Sequence, residues 1–408
     1  MSTLQAYLAQ FNDKAQPRVH SYATNVNSTQ TFRAVAKQAS SLRQQLSQLA
    51  GARVALTMTA SSDVLTTLVA LDGLVEELIV LPVDVNPPSG CHFHINERGA
   101  LRELEPWSAN PMPVQTGWSL RDEQGQLVSF TLAELCNNPL VASGNRDKPL
   151  RWGVLQEPAQ LAGLMVWLRA LKHGEDIVLA QADNLTALAQ MFAHAGVTAI
   201  AAPPRLWRSL LASNEPLRLP LQLAIVNSAM ADASTLQRIQ YSFSGVHVAH
   251  AFSHTGAGYS WLVRDGEPGF PAHLLQVSDA PVKLNVVDDS LWIELGESGA
   301  RIQTDYVVER NSDGRVMIVG EHSHKVNVGG RDVFVQQVEH ALLAVPGVVD
   351  VQAGSMPNPV LGELIRVDIL APQHRTVAER KAFKRQLQDH CRAVLQPWQR
   401  PARYDFHG

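Results

Sequence analysis

Between residues 31 and 50 the apolar positions recur at helical spacing among Ala, Leu, Gln and Arg, and Gly51 follows as a stop, which predicts an amphipathic helix. A short apolar run at 53–58 reads as a buried strand, 61–73 as a helix and 77–83 as a second strand, so the segment predicts a β-α-β unit. Residues 86–150 are richer in Pro, Gly, Asn and Ser and lack a clear period; irregular excursions and short strands are expected there. Helical alternation resumes at Pro158, with Leu161, Leu164, Met165, Leu168 and Leu171 on one face and Gly174 after the end. Strand and helix then alternate closely: strands at 177–180, 197–202, 221–227 and 246–252, helices at 185–194, 205–212 and 234–242. That order predicts an α/β fold, a large N-terminal domain with mostly parallel layered sheets.

The pattern changes at 283–319, where period-two runs joined through Gly and Asp-Gly predict a small antiparallel, β-rich subdomain. After Gly320 a strand, a Gly-Gly turn, a helix at 335–344 and further strands predict a small α+β C-terminal subdomain, so the expected domains are 1–319 and 320–408. The Arg/Lys-rich helix at 376–395 is expected to face solvent, because no aromatic interleaving marks it as a nucleic-acid surface.

Composition narrows the class. With 408 residues, 45% hydrophobic and 18% charged, the chain is neither disordered nor fibrous. A net charge of −4 supplies no basic field for nucleic acid or an anionic membrane, so a small-molecule ligand is expected. Cys91, Cys136 and Cys391 are too far apart in sequence for a disulfide framework or metal knuckle and read as free thiols of a reducing compartment. The first residues lack the basic and apolar regions of a secretory signal. Asp72, Glu76 and Glu77 interrupt the most apolar stretch, 65–85, so a soluble, cytoplasmic protein is expected. His92 with His94 and His322 with His324 are close pairs without a complete ligand set, and no Gly-x-Ser-x-Gly elbow occurs.

The stretch DGRVMIVGEHSHKVNVGGRDVFVQQVEHALLAVPGVVDV, Asp313 to Val351, carries more information. Its Gly320, the Lys325–Gly330 run, the Val338-Glu339 pair and Pro346-Gly347-Val348 resemble, at the same spacing, the hinge and C-terminal subdomain of the adenylate-forming superfamily of acyl-CoA synthetases and AMP-binding ligases. Weaker similarities follow in order upstream. SYATNVNSTQTFRAVAKQASSLRQQL resembles the family's opening helix, AGVTAIAAPPRLWRSLL its acyl-pocket strand and helix, and HAFSHTGAGYS its adenine-side aromatic loop. The resemblance implies a mobile C-terminal subdomain and ATP-dependent activation of a small aromatic or fatty carboxylic acid as an acyl-adenylate. It also implies transfer to CoA or the phosphopantetheine of an acyl carrier protein, with Mg2+ on the triphosphate.

The same resemblance nominates site residues. In ASGNRDKPLRWGV, Ser143, Gly144, Lys148, Pro149 and Gly153 are similar to the family's phosphate loop, although Asn145, Arg146 and Asp147 interrupt it; an ordinary surface turn is the alternative. Phe252 and Tyr259 line a nucleotide or acyl pocket, or pack a strand end; His254 and Thr255 are polar contacts; Gly256 stands where the family has a metal-side Glu. Asp305 matches the ribose-binding Asp, Trp207, Met230 and Phe252 are candidate acyl walls, and Gly329-Gly330 either admits a pantetheine arm or makes a tight turn. Glu321, His322 and Ser323 replace the hinge Arg and its neighbours. CRAVLQPWQRPARYDFHG resembles the stretch before the family's catalytic Lys, which Gly408 does not reach, leaving the catalytic residue unassigned, with Lys148, Lys325 or Arg331 as substitutes from elsewhere. These departures leave two alternatives beside the ligase: a catalytically degenerate acyl- or nucleotide-binding partner protein, and an acyl-transfer protein supplied with activated acid.

Overall fold

The computed structural model describes residues 3–407 apart from 12–16, 24–25, 110–114, 144–148, 183, 213–217, 228–230, 276–281 and 297–298. The chain divides into two compact units, the first made of Met1–Pro203, Glu215–Ala229 and Phe243–Arg264, the second of Pro204–Asn214, Met230–Ser242 and Asp265–Gly408.

The first unit contains the parallel sheets that the alternating pattern predicts. An eight-stranded sheet runs, in spatial order, Tyr259–Val263, His247–His254, Leu223–Val226, Ala199–Ala202, Arg151–Val154, Asp176–Ala180, Arg18–Ala23 and Val26–Thr31. Its inner pairings are parallel and both edge strands are antiparallel hairpin partners. A six-stranded sheet is built around the predicted β-α-β unit, with Arg53–Thr57 parallel to Glu77–Leu81. The helices Ser62–Leu71 and Leu161–His173 are buried along nearly their whole length, and one hydrophobic core joins them to strands of both sheets. Helices apolar all round belong inside a layered protein, and each fully buried Leu, Val or Trp on them contributes about 1.5–3 kcal/mol.

Two departures from the sequence reading have local causes. Within the stretch likened to the opening helix, the strands Arg18–Ala23 and Val26–Thr31 pair antiparallel, and the helix itself begins at Phe32, where the Thr31 side chain caps it by accepting from Ala34 N–H. Among its described residues, the irregular segment 86–150 supplies four short strands and two short helices, one opened by a Thr131–Glu134 capping box.

A half-buried polar cluster fastens the hairpin to the parallel strands. The Asp176 carboxylate takes the Arg18 N–H at 2.8 Å and Arg151 Nε at 2.9 Å, with His20 Nε2 at 3.4 Å. Burial alone pushes this carboxyl up, but the hydrogen bonds from His20, Arg18 and Arg151 together outweigh it and hold it below its ordinary 3.8. A depressed folded value contributes stability that is present above the unfolded value and lost as pH falls through the folded one. Asp176→Asn is therefore less stable than wild type above about pH 5, and the gap closes below pH 4; urea melts across that range read it.

The second unit contains the predicted antiparallel sheet, ordered Phe270–Pro271, Arg315–Glu321, Arg301–Arg310, Ser290–Leu295 and Val282–Val287. A further five-stranded sheet begins at Lys325, and the helices Val335–Leu343 and Val377–Val394 share its core. The expected boundary at 319/320 falls inside this unit, within the strand Arg315–Glu321 and shortly before the chain passes to the next sheet at Lys325. The Gly-Gly turn leads into a strand, Arg331–Phe334, before the helix, so Lys325–Val328 and Arg331–Phe334 form a hairpin that the helical period at 335–344 had masked. The helices Pro204–Leu211 and Ala233–Ser242 also belong to this unit.

Candidate functional site

Open parallel sheets bind ligands beyond the carboxyl ends of their strands, where strand order reverses. Here the chain passes from Arg151–Val154 to Asp176–Ala180 on one side, then returns to Ala199–Ala202 on the other. The switch point lies between Arg151–Val154 and Ala199–Ala202, and the residues beyond the carboxyl edge are Gln156, Pro203, Asn227 and the end of the long strand His247–His254.

Asn227 leaves the sheet with its N–H on Ala202 O at 3.0 Å. Its side chain is fully buried, and both Oδ1 and Nδ2 have no hydrogen-bond partner among the described residues. An unmade buried hydrogen bond costs about 1–3 kcal/mol, so a ligand or ordered water that supplies one is favoured there.

His254, at the end of its strand, is also buried, with Nδ1 unpartnered and Nε2 3.6 Å from Glu123 Oε2. Glu123 Oε1 accepts the Thr255 N–H at 2.7 Å. A carboxylate thus reaches the Thr255 backbone from a distant turn, between the strands Gly117–Arg121 and Leu127–Thr131 of the other sheet. Gly256 itself has a steric reason: a Cβ there would stand 3.0 Å from His254 Cε1 and 3.3 Å from Nδ1, displacing the imidazole. Asn138 fixes the turn by donating through Nδ2 to Gly258 O and Ser260 Oγ, both at 3.2 Å. Phe252 is buried and stacks on Trp261, ring centroids 4.8 Å apart and 10° from parallel, while Tyr259 meets Trp261 edge-on.

Ser143 lies elsewhere. Its Oγ accepts from Arg169 Nη1 at 3.1 Å, and with Arg169 and His247 it borders a cavity at the amino-terminal edge of the sheet. His247 and His254 open and close one strand, about 23 Å apart at the usual rise. The structure therefore does not bring Ser143 to Thr255; Gly144, Lys148 and Met230 lie outside the described residues.

The remaining nominated residues belong to the second unit. Trp207 is completely buried on its helix. Asp305 is engaged by Ser323, whose N–H donates to Oδ1 at 3.0 Å and whose hydroxyl donates to Oδ2. Gly329 and Gly330 have φ of 58° and 81° and make the hairpin turn, which Asn327 Oδ1 closes by accepting the Gly330 N–H. Lys325 Nζ is 2.7 Å from Asp332, whose carboxyl is held below its ordinary range first by that contact, and the Arg331 guanidinium sits 3.8 Å over Trp398. No group of three or more metal-ligating side chains occurs among the described residues, and none of their helices is long and apolar enough to cross a membrane.

Solved structures with the same layered sheets decide what this architecture is. The anthranilate CoA ligase AuaEII, in complex with anthranoyl-AMP, superposes over 100% of this chain and 93% of its own, with a TM-score of 0.79 at 15% identity. The chain has the fold of the adenylate-forming ligases. Sequence similarity to curated proteins is local: 33% identity over 128 residues with the 2,3-dihydroxybenzoate-AMP ligase of Bacillus subtilis, and 26% over 97 residues with the human mitochondrial acyl-coenzyme A synthetase ACSM2A. These matches cover 30% and 24% of the chain and 23% and 17% of those adenylate-forming relatives. No protein-family model matches the chain.

Proposed function

We propose that the chain is an adenylate-forming ligase, binding a small aromatic or fatty carboxylic acid together with ATP at the carboxyl edge of its parallel sheet and activating the acid as an acyl-adenylate for CoA or a carrier-protein thiol. The observation that carries this reading is the placement of Asn227, whose amide Oδ1 and Nδ2 are buried with no partner among the described residues, on the same edge as His254, Thr255 and Glu123. A donor and an acceptor without partners among the described residues suit an adenine or an acyl carbonyl, and the His254 Nδ1 adds a third such atom. The aromatic acids named in the anthranilate and 2,3-dihydroxybenzoate ligases favour an aromatic substrate.

Mg2+ typically binds through one or two carboxylates plus substrate phosphates, and Glu123, 39% exposed on its side chain, fits that donor set. Bound there, the ion would neutralise phosphate charge; Glu123 by itself orients the Thr255 backbone and places negative charge beside the His254 ring. Glu123→Gln keeps an acceptor for Thr255 but deletes the charge. Its melting temperature is expected to stay within a degree of wild type, while Mg-ATP binding by calorimetry weakens about tenfold, or 1.4 kcal/mol.

Pyrophosphate release from Mg-ATP across a panel of aromatic and aliphatic acids, with hydroxylamine as trap, tests the activity. Acid-dependent release with hydroxamate formation is the expected result. Binding without release favours the second reading, a nucleotide- or acyl-binding homologue. Three placements support that alternative: Ser143 sits on Arg169 rather than beside Thr255, Asp305 is held by Ser323, and Lys325 is paired with Asp332.

A further inference from the structure

A separate cavity of about 240 Å³ opens at the amino-terminal edge of the eight-stranded sheet, the edge away from Asn227 and His254. Its walls are Leu223, Ile225, Ala249 and Leu262, which share one face of three neighbouring strands: Leu223 pairs with His247, Ile225 with Ala249, and Ala251 with Leu262. Its polar rim is Arg169, Arg264, His247 and Ser143.

The two guanidinium groups play different parts. Arg169 is 3% exposed and pinned, with Nε and Nη2 on Glu175 and Nη1 on Leu140 O and Ser143 Oγ; it contributes a fixed wall whose charge Glu175 balances. Glu175 is occupied further by Trp152 Nε1 at 2.6 Å. Arg264 follows the edge strand Tyr259–Val263 and has no carboxylate partner among the described residues. Arg264 is exposed at the cavity mouth; its partial desolvation there, and then the like charge of Arg169, lower its pKa, and an anion bound between the two guanidinium groups offsets their repulsion. The rim thus has a surplus positive charge, and the walls are aliphatic.

We infer that this cavity binds a small organic carboxylate, its carboxylate on Arg264 and its compact apolar body against Leu223, Ile225, Ala249 and Leu262. A planar guanidinium matches a carboxylate in bidentate fashion, and the four apolar walls disfavour a fully hydrated inorganic anion. The volume lies just under the usual range for drug-sized ligands, which limits the body to about one ring or a short branched chain. The inference is independent of the activity proposed for the opposite edge.

Methyl NMR of Ile- and Leu-labelled protein tests it, with benzoate, isobutyrate and inorganic phosphate as probes. Benzoate or isobutyrate is expected to shift the Ile225 and Leu262 methyls saturably, at least tenfold more weakly in Arg264→Gln, and unchanged in Asn227→Leu. Arg264 is exposed, so the Gln variant keeps the fold. Three results overturn the inference: no saturable shift with either acid, equal affinity in Arg264→Gln, or loss of the Ile225 shift in Asn227→Leu. Phosphate shifting Ile225 as strongly as benzoate also overturns it, as a plain anion site.

Discussion

Asn227→Leu stabilises the protein and empties its site. Leucine has nearly the same shape as asparagine but carries no polar atom, so it removes two buried groups that lack partners among the described residues. Each unmet group costs about 1–3 kcal/mol, and a gain of about 2 kcal/mol overall is expected, with each kcal/mol worth about 2–4 °C in melting temperature. Affinity for an acyl-sulfamoyl adenosine, a stable mimic of the adenylate, is expected to fall about a hundredfold, or 2.7 kcal/mol. Calorimetry and a thermal melt on the same preparation read both quantities. A variant that gains stability and still binds the mimic strikes Asn227 from the site; a variant that loses stability shows that the amide has a partner in the folded protein.

Arg208→Ala has the opposite sign and a larger size. Arg208 Nε donates to Asp350 Oδ1 at 2.8 Å and Nη1 to Asp232 Oδ2 at 3.0 Å, all three side chains being nearly buried within the second unit. Truncation leaves two buried carboxylates without their shared cation; Asp232 keeps the Thr235 N–H and hydroxyl, and Asp350 keeps Arg205 at 3.1 Å. Breaking a buried pair in this way costs about 3–5 kcal/mol, most of it the stranded charge. Asp232→Asn in the Arg208→Ala background is expected to restore part of the loss, because it removes the carboxylate left without an ion-pair partner while Asp350 keeps Arg205. Urea denaturation followed by near-UV circular dichroism measures the single and double variants; additive losses show that the carboxylates are not stranded.

The layered parallel sheets were legible in the chain because hydrophobic period is a local property. The buried runs at 199–202 and 223–226, and the helix ending at Gly174, declare themselves within a dozen residues. Hairpins hid where the strands are half exposed: Arg331–Phe334 has two exposed residues and leads straight into a helix. The site was less legible. Phe252, His254 and Thr255 were nominated by resemblance, but Glu123 stands 132 residues from the backbone group it holds, and no spacing rule reaches that far. The signal for Asn227 was present, a polar residue closing an all-apolar strand, but its weight depends on burial that only the folded chain reveals. Ser143 fails in the other direction: a Ser-Gly turn looks alike in sequence at either edge of a sheet.

The origin of Glu123 also sets the order in which the protein comes apart. Its turn joins Leu127–Thr131, the outermost strand of the six-stranded sheet, to Gly117–Arg121, so a contact at one sheet's carboxyl edge depends on the rim of another. Rim hairpins open by sub-global fluctuations at lower free energy than the central strands. Under mild denaturant the Thr255 amide should therefore begin to exchange with solvent, and recognition of ligand should fade, while the interior remains protected.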